Sequence, residues 1–136
     1  MRPLSVIFLG YVAACVATYC AFMTALAIEA AVGGAPKPWF PIVGLFGVGL
    51  PLIFVTAAPG FIVLRAAIAA TAQSPSFSIF VAAGALNAAA VAYFVDMPMF
   101  EWTLPIVSGA VGGFASWWSE RAALRMRLKP RPEGSA

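Results

Sequence analysis

A chain of 136 residues has room for one domain. It is 62% hydrophobic and 10% charged, against about 25% charged in soluble domains, so lipid suits this composition better than water. A net charge of +3 with no histidine argues against a nucleic-acid module and removes the commonest metal ligand and acid–base group.

The first charge-free stretch predicts a span at about residues 4–28. It is about 25 residues long, which suits a span better than the shorter apolar core of a signal peptide. Cys15 and Cys20 lie within it. Five residues apart on a helix, they point about 140° apart and read as small apolar side chains, not a disulfide. A Gly- and Pro-rich loop with Glu29 and Lys37 follows.

The second span is expected at about 40–64, interrupted by Pro51 and Pro59. Arg65 then opens a loop up to Ser76, in which 66–73 is a helical extension or loop. Ser74 is expected to cap a helix whose first residue is Pro75, leading into a third span at about 77–95. The link 96–101 is too short for anything but an antiparallel return. The fourth span is expected at about 103–121. Residues 1–128 thus read as a single four-span membrane domain, and 129–136 as a short basic polar tail.

The charges orient these spans. Arg2, Arg65, Arg121, Arg125, Arg127, Lys129 and Arg131 fall on one side; Lys37, Glu29, Asp96 and Glu101 fall on the other. Basic segments stay in the cytoplasm during insertion. The expected fold class is therefore all-α: a polytopic membrane protein, a bundle of four transmembrane helices with short loops and both termini cytoplasmic. Trp39, Trp102, Trp117 and Trp118 sit at span ends, where an apolar ring with an N–H favours the interface. Arg121, Arg125 and Arg127 are placed at the same interface, with headgroups as partners.

Small residues are the other pattern. Gly44 and Gly47 lie in the second span, Gly84 in the third, and Gly109, Gly112, Gly113 and Ser116 in the fourth. Gly109 and Gly113 are four apart, as are Gly112 and Ser116, and such stripes let helix backbones approach closely. Asn87 is the most polar side chain at membrane depth, and Thr18 and Thr56 lie at a similar level to pair with it. No acid or base is expected deep in any span.

Neither catalytic nor metal or cofactor residues emerge, so no enzyme and no cofactor are expected. The leading expectation is a non-catalytic accessory or scaffold subunit, acting through helix packing in a larger complex or as a homo-oligomer. The alternative is a small channel or transporter for an uncharged or lipid-like solute. Ala-, Gly- and Pro-rich usage suggests a bacterium, hence the inner membrane, with anionic lipids at the cytoplasmic face and no nucleic acid among the partners.

Overall fold

A computed structural model describes residues 3–33, 46–71, 76–97 and 101–128. Among them the chain forms four helices: α1 (Leu4–Gly33), α2 (Phe46–Thr71), α3 (Phe77–Phe94) and α4 (Thr103–Leu128). The helices close a ring in chain order. The closest packing is of α4 against α1 and against α3, while α2 touches α1 and α3 much less.

Pairings across the ring show that neighbours run antiparallel. On α1 and α4, Thr18 faces Gly112 and Gly10 faces Glu120; on α3 and α4, Gly84 faces Gly109 and Phe80 faces Gly113. Moving one way along one helix moves the other way along its neighbour.

Three helical segments are long and apolar enough to cross a membrane: Leu4–Gly33, Val48–Ala70 and Phe77–Phe94. α4 is not among them, although a fourth span was expected. Its sequence is rich in Gly, Ser and Trp where the others carry Val, Ile and Leu. The reason lies in its position. It packs against two neighbours, and its inner face Ser108, Gly109, Gly112, Gly113, Ser116, Glu120 and Ala123 is buried, so less of it needs apolar cover.

Polarity is inverted relative to a water-soluble bundle. Phe8, Val55, Ile62, Val63, Leu86, Val107 and Trp118 face outward, while Ser108, Ser116 and Glu120 are buried. A helix that is apolar all round suits a large core or a bilayer.

Several boundaries differ from expectation. α1 runs to Gly33, carrying Glu29 inside the helix. α2 continues through Pro51 and Pro59 to Thr71, so Arg65 is a helix residue and not the start of a loop. The alanine-rich run after Arg65 has high helix propensity and carries the helix onward. α3 begins at Phe77 with an extended Ser76 in the capping position and no side-chain capping bond; the expected cap Ser74 and Pro75 lie outside the described residues. α4 extends past residue 121 to Leu128. Pro105 sits in its first turn, where the missing N–H costs nothing.

The end of α3 is defined by backbone hydrogen bonds. Asp96 N–H donates to Tyr93 O at 3.1 Å and Met97 N–H to Ala92 O at 3.0 Å, the paired bonds of a Schellman ending. Asp96 takes the left-handed position, with φ 55°, which Asp tolerates better than most residues. Trp102 Nε1 then donates to Met97 O at 2.7 Å, tying the start of α4 to the end of α3.

Candidate functional site: a cavity closed by a buried ion pair

The small-residue stripes on α4 serve two different neighbours. Gly109 and Gly113 face α3: a Cβ on Gly113 would strike the Phe80 backbone, and one on Gly84 the Gly109 backbone. Gly112 faces α1 at Ala14 and Thr18. Ser116 and Glu120 continue that second stripe at four-residue steps. Both crossings are backbone-close, as small residues allow.

Gly10 completes the second crossing. A Cβ there would lie 2.5 Å from Glu120 Oε1. The carboxylate therefore occupies the space that a side chain on α1 would fill. Glu120 is 0% exposed. Its Oε1 is ion-paired with Arg65 Nη2 of α2 and stands 3.5 Å from Ser116 Oγ. The guanidinium carbon of Arg65 lies 4.8 Å from the Phe61 ring centre and 5.3 Å from that of Phe80, within cation–π range.

Glu120, expected at the end of the fourth span, thus lies inside the bundle with a basic partner. The pair joins α2 to α4 across the ring. Removing one partner of such a pair leaves a bare buried charge and costs about 3–5 kcal/mol, more than the intact pair contributes.

Above the pair lies a cavity of about 450 Å³, lined by all four helices. Leu64, Phe80 and Ser116 stand at its ion-pair end, and Val95, Met97 and Pro105 at the other. Its walls are overwhelmingly apolar. The space is partly open to the exterior.

Two of the polar groups on its wall are turned to α2. Tyr11 of α1 donates its hydroxyl to Phe54 O, and Asn87 Nδ2 of α3 donates to Thr56 O at 3.4 Å. These carbonyls flank that of Val55, whose usual donor four residues on is Pro59, which has no N–H. Two neighbours thus grip α2 by its backbone at the proline. Gly60 makes room for this, because a Cβ there would overlap the Asn87 amide. Of the two threonines expected near Asn87, Thr56 provides the contact through its carbonyl, whereas Thr18 faces Gly112.

The remaining sequence-predicted residues are placed as follows. Gly44 and Trp39 lie outside the described residues, as does Lys37. Gly47 falls in the first turn of α2 and Arg127 in the last of α4. Trp117 packs against Phe77 and Phe114, with Arg121 4.6 Å over its ring. Trp118 and Arg125 face outward. Trp102 joins Tyr93 at the opposite end of the bundle. Among the described residues no three His, Cys, Asp or Glu come together as a metal site.

Four participants escaped the sequence reading: Gly10, Tyr11, Gly60 and the Arg65–Glu120 pair. The available signal was Glu120 itself, an acid four residues after a buried serine at an otherwise basic end. Compared with family models, curated proteins and solved structures, the chain finds no match.

Proposed function

We propose that the chain is an integral protein of a bacterial inner membrane, with four spans and both termini cytoplasmic. It works without catalysis, through helix packing, as an accessory or scaffold subunit of a larger complex or as a homo-oligomer. The observation that supports this is the inverted polarity: an apolar exterior around small, hydroxyl-bearing and charged residues. α4 crosses with the others because it packs more closely against α1 and α3 than any other helices pack. Arg121 and Arg125 then meet anionic headgroups at the cytoplasmic face.

The test is gentle extraction of the native protein followed by cross-linking mass spectrometry. A stoichiometric partner polypeptide, or a defined homo-oligomer, is the expected result. A protein that runs as a monomer, with no intermolecular cross-link, contradicts the subunit reading.

The cavity favours a second reading, a small channel or transporter for an uncharged or lipid-like solute. Its wall offers a path for apolar matter and none of the carbonyl or carboxylate rings that conduct ions. Saturable flux of such a solute into proteoliposomes would support this reading, and flux equal to that of empty liposomes would dismiss it.

A further inference from the structure

We infer that the cavity is a binding site for one hydrocarbon chain of a bilayer lipid, inserted beside α2 with its methyl end toward Arg65 and Glu120. The inference rests on the membrane reading above and adds an occupant and a direction. Size is the first argument. A 150 Å³ apolar cavity takes a benzene ring, so 450 Å³ holds roughly 18 carbon atoms, the order of a lipid acyl chain. On α4 the lining residues run from Pro105 to Ser116, eleven helical steps or about 17 Å, so a chain of that size fits with bends and not fully extended.

Chemistry is the second argument. The Tyr11 hydroxyl and the Asn87 amide nitrogen donate to α2 carbonyls, the Thr56 hydroxyl to Leu52 O and the Ser116 hydroxyl to Glu120, so the wall is mostly apolar, suited to methylene groups and poor for a file of water. The third argument is direction. The inner end is filled by an ion pair that is already neutral as a unit, so it offers an anionic headgroup no unbalanced charge. The head therefore stays at the Val95 and Met97 end, and the chain points down. The way in lies beside α2, the helix packed least against its neighbours, whose outward residues Val55, Ile62 and Val63 face lipid.

The test uses the full chain in phosphatidylcholine vesicles carrying one of two photoactivatable phosphatidylcholines. One bears a diazirine at the end of an acyl chain, the other next to the ester. After irradiation, labelled residues are mapped by mass spectrometry. The chain-end probe should mark the wall near Phe80, Ala83 and Ser116; the ester-side probe should mark Val91 and Val95. Ala83→Phe, and separately Ala57→Leu, fill the space and should cut wall labelling at least tenfold, with outward Leu86 and Val55 still labelled. Labelling confined to outward residues overturns the proposal. So does a reversed order of the two probes, wall labelling unchanged in both filled variants, or wall residues cross-linked to another polypeptide. Loss of label from outward residues too would defeat the membrane reading on which the site depends.

Discussion

Arg65 and Glu120 hold the weakest side of the bundle together. α2 packs less against its neighbours than the other helices do, and its polar ties include Tyr11 to Phe54 O, Asn87 to Thr56 O, and the ion pair. Glu120→Leu should lower stability by about 3–5 kcal/mol, because it removes one partner of the buried ion pair. The double variant Arg65→Met/Glu120→Leu should recover most of that loss. Thermal unfolding of the four proteins of this cycle in detergent measures both, and additive losses would show that the charges do not act as a pair. Asn87→Leu should cost less, about 0.6 kcal/mol and up to ~2, as single interhelical hydrogen bonds in membranes do. The same unfolding assay reads it, and a loss as large as that of Glu120→Leu would contradict the assignment. Residue by residue, the sequence was legible where a type has one use. Glycines at four-residue spacing announce close packing, and Asn87 announces a polar contact. Gly10, Gly60 and Tyr11 were not legible, because each matters only through what stands opposite it on another helix.

Among the elements, α4 is the keystone and α2 the loose member. α4 presents one small-residue stripe to α3 and another to α1, so it sacrifices the hydropathy that would mark it as a span. This explains why length and hydropathy alone recover three helices and pass over α4. Gly113→Val should push the Phe80 backbone away and destabilise the α3–α4 crossing by about 1–3 kcal/mol, the usual cost of overpacking. Gly33→Val should be close to neutral, since nothing stands within 4 Å of that position. Equal melting temperatures for the two variants would contradict the crossing. Helix ends were the least legible part. Arg65 and Glu120 look like full stops when charge is taken to end a span. Each instead lies inside a helix that runs six or more residues further, because the two charges neutralise each other across the ring.

At the scale of the molecule, four antiparallel helices in ring order turn apolar residues outward and enclose a cavity. The all-helical, four-element plan was readable from uncharged runs punctuated by charge and proline. The cavity was not, because its wall is assembled from all four helices, which no local pattern encodes. In the proposed arrangement all four helices cross the membrane, including the one whose own hydropathy falls short. The most direct test is labelling of single-cysteine variants by a membrane-impermeant maleimide in intact cells, with Cys15 and Cys20 replaced by alanine. Asp96→Cys, at the end of α3, should react from outside; Arg125→Cys, near the end of α4, should react only after permeabilisation. Reaction of both positions from the same side would mean that α4 does not cross, and would contradict the account.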